Sequence, residues 1–249
     1  MNFQVPKCVM LGALMLFSSW ASAGDKVDQA IVDTLTSALE TSNSGLEVQS
    51  VKNSEIAGLY AVQFVNGPLI YANATGDHFM VGDMFRVEAD GFVNLAEQRR
   101  DGDRKDKIEA VAAEDMIIFS PAGEHRASIT VFTDVTCFYC QKLHKEVPEL
   151  NKRGVEVRYL AYPRAGVGSD GFRQLASAWC SDDPRDALTR LKSKQTVADN
   201  VCPGNPIADQ YQLGQELGVR GTPAIVTDSG QMIPGYQSAD ELMVTLGLN

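Results

Sequence analysis

The chain has 249 residues, with 22 Lys and Arg against 32 Asp and Glu, a formal net charge of −10. That balance excludes a protein built to neutralise phosphates, which needs clustered cations, so no nucleic-acid partner is expected. Five cysteines and an apolar beginning narrow the field further.

Lys7 precedes an apolar run from Cys8 to Phe17, and the small residues Ala21-Ser22-Ala23 follow. Residues 1–23 read as a secretory signal peptide cut after Ala23, because the run falls short of the about 20 apolar residues needed to span a bilayer. The mature chain is then soluble, exported and left with four cysteines. Its length suits two domains at least as well as one.

Val27, Ile31, Leu35 and Leu39 recur every four residues, which predicts one apolar stripe on an early helix. The period then changes. Leu46 to Val51, Leu59 to Val65 and Leu69 to Ala72 read as strands, with Asn66-Gly67 as a hairpin signal, and shorter strands are expected near His78 to Met80 and Met84 to Val87. Together they predict a small helix-plus-antiparallel-sheet unit of marginal size, suited to pairing with another copy. Glu97 to Glu109 is dense in both charges and reads as a solvated, partly helical linker.

A second unit is expected from about Met116. Ser128 to Thr133 is a β-rich run leading into Cys137-Phe138-Tyr139-Cys140, after which Leu143, Val147 and Leu150 share one helical face that Pro148 should kink or shorten. Val155 to Tyr159 and Ala224 to Thr227 read as strands; Gly171 to Trp179, Asp186 to Leu191 and Ile207 to Leu217 read as helices, the last ending at Gly218. Ser238-Ala239-Asp240-Glu241 is a capping box that opens a final helix. Alternation of this kind predicts helices around a central sheet.

Four cysteines in an exported chain suggest two disulfides, and three pairings are formally open. Cys137 and Cys140 form a tight C-x-x-C; Cys180 and Cys202 lie 22 positions apart, a loop whose closure is worth roughly 3 kcal/mol on the chain-entropy model. A C-x-x-C at a strand-to-helix junction places its first sulfur beside unpaired N–H groups and the positive end of the helix. Such sites lower a thiol pKa from about 8.5 into a range of about 3.5 to 7.5, so Cys137 is the expected attacking thiol and the more shielded Cys140 its resolving partner. His144 completes a C-x-x-C-x-x-x-H cluster. Zinc sites usually need four ligands, however, so His144 is read as a polar helix residue that shapes the local field, and no metal is expected.

Gly221-Thr222-Pro223 stands before the strand Ala224 to Thr227. Joined to the upstream C-x-x-C, this tripeptide resembles the thioredoxin fold, whose cis-proline loop lies against the active cysteines. The likeness extends through Phe132-Thr133-Asp134-Val135-Thr136-Cys137-Phe138-Tyr139-Cys140, Lys142-Leu143-His144, Arg158-Tyr159-Leu160-Ala161-Tyr162-Pro163, Gly221-Thr222-Pro223-Ala224 and Pro234-Gly235-Tyr236-Gln237. In these motifs the chain resembles the DsbC/DsbG family of periplasmic disulfide isomerases over nearly its whole mature length. Gly82-Asp83-Met84 and the strands before it are similar to that family's cystatin-like domain, and Trp179-Cys180 with Cys202 to its second cysteine pair. Phe138 departs from the pattern, standing where the isomerase branch commonly has glycine.

The resemblance implies an α+β chain: a cystatin-like dimerisation domain over residues 24–86, a linker over 87–115, and a thioredoxin-like catalytic domain with a helical insertion over 116–249. It implies a V-shaped periplasmic homodimer holding misfolded exported proteins between its catalytic domains. No cofactor is expected, and a membrane thiol reductase of the DsbD type would supply electrons. Substrate contact is expected at Thr222, Pro223, Phe138 and Tyr139, and a structural disulfide between Cys180 and Cys202. A holdase chaperone with secondary thiol chemistry and a dithiol oxidase are the alternatives.

Overall fold

The computed structural model describes residues 26–40, 45–65, 67–89 and 91–248. The signal-peptide segment and Asn66 of the expected hairpin lie outside the described residues. The chain divides into two compact units, Met1–Gly82 and Asp83–Asn249, and no helix among the described residues is long and apolar enough to cross a membrane.

In the first unit α1 (Gln29–Leu39) opens at Asp28, whose carboxylate accepts from the Ala30 N–H. A four-stranded antiparallel sheet follows, β1 (Val48–Asn53), β2 (Leu59–Phe64), β3 (Leu69–Asn73) and β4 (Phe79–Val81), in that spatial order. Leu35 and Leu39 of the helical stripe pack on Val62, Phe64, Ile70 and Ala72 of the sheet. Fully burying a side chain of this kind contributes about 1.5–3 kcal/mol, so the helix and sheet hold each other. Edge strand β4 leaves Phe79, Met80 and Val81 all exposed.

The second unit begins with a hairpin, β5 (Phe85–Glu88) and β6 (Gly91–Asn94). The sequence reading joined the first of these strands to the preceding sheet; it pairs instead with β6, which gave no strand signal of its own. Asn94 caps α2 (Leu95–Glu109), accepting from the Glu97 N–H at 3.0 Å. This helix is the charged run expected to be a solvated linker. It is not solvated on every side: Arg104 is 7% exposed and bonds to the Leu217 carbonyl, and Ile108 joins a core cluster with Phe132, Leu160 and Val226. Counting charges hid Arg104 and Ile108, which face inward within that run.

A five-stranded sheet organises the rest, with β7 (Ile117–Phe119), β8 (Ala127–Thr133), β9 (Val155–Ala161), β10 (Ala224–Thr227) and β11 (Met232–Pro234) in spatial order β11-β10-β8-β9-β7. Only β8 and β9 run parallel, joined through α3 (Phe138–His144) and α4 (Val147–Lys152). Ile129, Val131, Val157, Tyr159 and Ile225 serve one core cluster, while Phe132, Leu160, Ala224 and Val226 serve the other. That is the two-residue alternation of strands covered on both faces. Helices α5 (Asp170–Trp179), α6 (Pro184–Lys192) and α7 (Ile207–Glu216) separate β9 from β10, and α8 (Ala239–Thr245) closes the chain behind the capping box of Ser238 and Glu241. Pro148 splits the expected single helix in two. It lacks the N–H that a continuous helix would need and sits in the first turn of α4, where none is required.

Candidate active site

The site forms where buried strand β8 ends and α3 begins. Asp134, 2% exposed, ties the intervening turn: its Oδ1 accepts from the Thr136 N–H and hydroxyl, both at 2.7 Å, and its Oδ2 from the Arg164 N–H at 2.8 Å. Burial alone would push this carboxyl up, but those hydrogen bonds and the Arg164 charge hold it below the usual range. Its backbone oxygen accepts from the Cys137 N–H at 3.2 Å, which fixes the start of α3.

Cys137 is the N-cap of α3, and its Sγ accepts from the Cys140 N–H at 3.4 Å. Across the site the Thr222–Pro223 peptide is cis, and the Thr222 carbonyl accepts from Cys137 Sγ at 3.2 Å. Cys140 is the more shielded, 1% exposed against 3% for Cys137, but so narrow a margin does not separate the two thiols.

Electrostatics does. The hydrogen bond from the Cys140 thiol is foremost in lowering Cys137 to about 5; burial opposes it, while Thr222, the Cys140 N–H and the Arg164 charge assist. Cys140 is driven strongly upward by burial and by donating a hydrogen bond to Cys137. One sulfur is therefore a thiolate at neutral pH while its neighbour keeps its proton. Both are free thiols in this structure.

His144 is not a surface residue. It is 8% exposed, with Nδ1 3.0 Å from the Tyr159 hydroxyl and Nε2 3.0 Å from Thr189 Oγ1. Burial first, then the Lys192 charge, lowers it to about 4, so the ring is neutral. The helix period places it inward, a signal the C-x-x-C-x-x-x-H spacing had obscured.

Phe138 and Tyr139 lie on the rim, 66% and 56% exposed. Their rings meet edge to face at 5.4 Å, and the Tyr139 ring lies 6.5 Å from that of Tyr236 with the planes inclined by 30°. Lys142 Nζ sits 4.1 Å from the centre of the Tyr236 ring. Cys180 and Cys202 are bonded to each other, joining the end of α5 to the loop before α7. The sequence reading missed Asp134, Arg164 and Lys192 as parts of the site. For Lys192 there was a signal, a lysine among Ala187, Leu188 and Leu191 on the buried stripe of α6.

Comparison with known proteins agrees with this geometry. The family model described as a thioredoxin-like domain matches residues 112–247, and that of the disulfide bond isomerase protein N-terminal domain matches residues 22–97. Among solved structures, a disulfide interchange protein from Neisseria gonorrhoeae superposes with a TM-score of 0.50 at 28% identity, covering 56% of this chain and 98% of that one. The thiol:disulfide interchange protein DsbC of Escherichia coli K12 is 34% identical over 92% of this chain and 90% of its own. That of Dickeya dadantii is 36% identical over 96% and 94%. Identity at this level along nearly the whole of both chains is a family relationship, and the chain belongs to the DsbC family of thiol:disulfide interchange proteins, disulfide isomerases with a thioredoxin-like domain.

Proposed function

We propose that this chain reshuffles incorrect disulfides in exported proteins, with Cys137 as the attacking thiol and Cys140 as the resolving thiol. The observation that carries this reading is the placement of two sulfurs at one helix start: Cys137 Sγ caps α3, accepts from the Cys140 N–H at 3.4 Å and meets the loop of the cis Thr222–Pro223 peptide, surroundings that favour Cys137 as thiolate and Cys140 as thiol. The Cys137 thiolate attacks a substrate disulfide, a mixed disulfide forms, and one substrate sulfur leaves as a thiolate. That thiolate then attacks another disulfide of the substrate and releases a new thiolate in turn, until a substrate thiolate attacks the mixed disulfide and displaces Cys137 as the thiolate it began as. If Cys140 attacks Cys137 first, the substrate departs as a dithiol and the enzyme departs as the Cys137–Cys140 disulfide. Two electrons must then return, and a membrane reductase of the DsbD type is the donor we assign. Thr222 and Pro223, with Phe138 and Tyr139, are the residues to which we assign contact with the client segment; the exposure of Phe138 and Tyr139 supports the assignment.

Residues 24–86 are assigned as a pairing unit, residues 87–115 as the connection and residues 116–249 as the catalytic domain of a periplasmic homodimer released by cleavage after Ala23. Exposed Phe79, Met80 and Val81 on edge strand β4 support pairing, since an unpaired apolar edge invites another copy. Sedimentation of the mature protein should give a dimer, and a monomer at micromolar concentration would refute that assignment. For the thiols, Cys137→Ser should abolish exchange and Cys140→Ser should accumulate mixed disulfides. Equal trapping by both variants would overturn the division of roles between the two sulfurs.

A further inference from the structure

Behind the two cysteines lies a lysine that the exchange chemistry above does not use. Lys192, the last residue of α6, is 3% exposed. Its Nζ donates to Thr133 Oγ1 at 2.5 Å and to the Asp134 carbonyl at 3.0 Å. The same carbonyl receives the Cys137 N–H, so the ammonium is anchored on the turn that sets the C-x-x-C in place. Two of its three N–H groups are used in these bonds. Among the described residues no carboxylate pairs with it: both oxygens of Asp134 are occupied by Thr136 and Arg164. A buried ammonium whose hydrogen-bond partners are only a hydroxyl and a carbonyl carries a desolvation cost of several kcal/mol on the order-of-magnitude scale for buried ions, offset in part by the more distant charges of Asp134 and the two cysteines. Packing alone does not explain its presence, because an apolar side chain would fill the same stripe of α6 without that cost.

We propose that Lys192 is a positioning residue for the resolving step: held on the end of β8 by Thr133 and Asp134, its buried positive charge lets Cys140 ionise and displace the substrate from Cys137. The structure divides two cations between two sulfurs. Arg164 acts on Cys137, whereas the charge of Lys192 is felt first by Cys140, where it opposes the upward push of burial. Among the described residues, the other groups acting on Cys140 supply no cation. His144 on α3 and Tyr159 on β9 are both neutral, and Cys137 is bonded to substrate when resolution begins. Burial lowers Lys192 itself to about 8, opposed by the two cysteines and Asp134, so it keeps most of its charge at neutral pH.

The step balances as follows. Cys140 gives its proton to water, its thiolate attacks Cys137 Sγ, and the Cys137–Cys140 bond forms as the bond to substrate breaks. The substrate sulfur leaves with the electron pair and is protonated by water. Lys192 gains and loses nothing; it lowers the free energy of the thiolate. Through that one rate it sets how long a client remains attached, and hence the division between reshuffling and release in reduced form.

The inference rests on the roles assigned to Cys137 and Cys140, and a two-phase experiment separates the two claims. Reduced mature protein is mixed in a stopped-flow instrument with equimolar dithiobis-nitrobenzoate, whose thiolate product is coloured. A first phase that scales with reagent concentration reports attack by Cys137; a second, independent of concentration, reports resolution by Cys140. Lys192→Met should move the pH midpoint of the second phase up by about one unit and slow it about tenfold below that midpoint. Lys192→Gln should do the same if the methionine variant folds poorly, and Lys192→Arg should restore most of the rate. A second phase with parental rate and midpoint in Lys192→Met or Lys192→Gln overturns the proposal. So does a Lys192→Arg variant slowed equally in both phases, which marks a structural role. Loss of the second phase in Cys140→Ser alone, with the first intact, upholds the thiol roles whichever way the lysine variants behave.

Discussion

The sulfur of Cys137 donates to the carbonyl oxygen of Thr222 at 3.2 Å across 85 positions of sequence, a contact available only to the thiol. Once ionised the sulfur has no proton to give and faces a carbonyl dipole of its own sign, so it must draw on donors instead. The Cys140 thiol and N–H are two of these. Thr222 Oγ1 is a third: it is buried without a hydrogen-bond partner, and its proximity favours the anionic form of both sulfurs. Thr222→Val keeps the shape and removes the hydroxyl. It should raise Cys137 from about 5 by about one unit, the worth of a hydrogen bond to a charged group. Thiolate absorbance in the ultraviolet, followed against pH, measures this; a superimposable titration would show that the hydroxyl plays no part.

Phe138 separates this chain from the glycine expected at its position. Its ring is two-thirds exposed and touches Tyr139 edge to face, so little of the fold depends on it. Phe138→Gly should leave unfolding within about 0.5 kcal/mol of the parent apart from the backbone cost of glycine, about 1 kcal/mol at a helix start. It should also change the order in which scrambled proteins are refolded and shift the redox potential, where about 30 mV corresponds to about 1.4 kcal/mol. Equal potentials against glutathione and equal rates on several clients would make this a neutral replacement.

How much of this was legible in the sequence depended on what each residue answers to. The C-x-x-C, the Gly221-Thr222-Pro223 loop and the alternation of β8 and β9 are written locally, in spacing and period, and appear where expected. Strands β6 and β11 are four and three residues long and too short for any period to emerge; each exists because a neighbour holds it. Asp134, Arg164 and Lys192 meet through positions up to 58 apart, and only the fold brings them together. Arg104 shows the limit of charge counting, since among many solvated charges one turns inward to backbone carbonyls at Leu217 and Gly230.

His144 offers a test by pH. The Thr189 hydroxyl donates to the Arg185 carbonyl at 2.8 Å, so it accepts from His144 Nε2–H, and Nδ1 is left to accept from Tyr159. A proton added to Nδ1 would face a donor already pointed at it. The ring therefore sits at about 4 in the fold against 6.5 in the open chain. As pH falls the unfolded chain takes this proton first. The stability present above about 6.5 is accordingly lost as pH drops through about 4, by roughly 3 kcal/mol in all. Urea unfolding between neutral pH and pH about 4 should show this loss, and His144→Gln, which keeps one donor and one acceptor but does not titrate, should lose less by a similar amount. Parallel pH profiles for the two proteins would mean that other groups govern acid sensitivity.

Gly230 tests whether α2 belongs to the catalytic unit. It has φ +86°, and a Cβ built on it would collide with the Asp101 carbonyl oxygen on that helix. Its own carbonyl receives Arg104 Nη1 at 3.5 Å, while Arg104 also holds Glu97 at 2.8 Å and Asp101 at 2.7 Å. Gly230→Ala cannot be accommodated by rotating a side chain, because the obstacle is backbone and the conformation itself disfavours a Cβ. Either the loop after β10 or α2 has to move, which strips Arg104 and Ile108 of their partners. The expected cost is roughly 2–4 kcal/mol in unfolding, with faster hydrogen exchange concentrated in residues 95–109. The thiol titration of Cys137 should be unchanged, since neither Arg104 nor Gly230 contributes to it. A loss below about 0.5 kcal/mol, the range of a neutral surface change, would show that α2 rests loosely on the sheet and that the charged run behaves as the solvated connection its composition suggests.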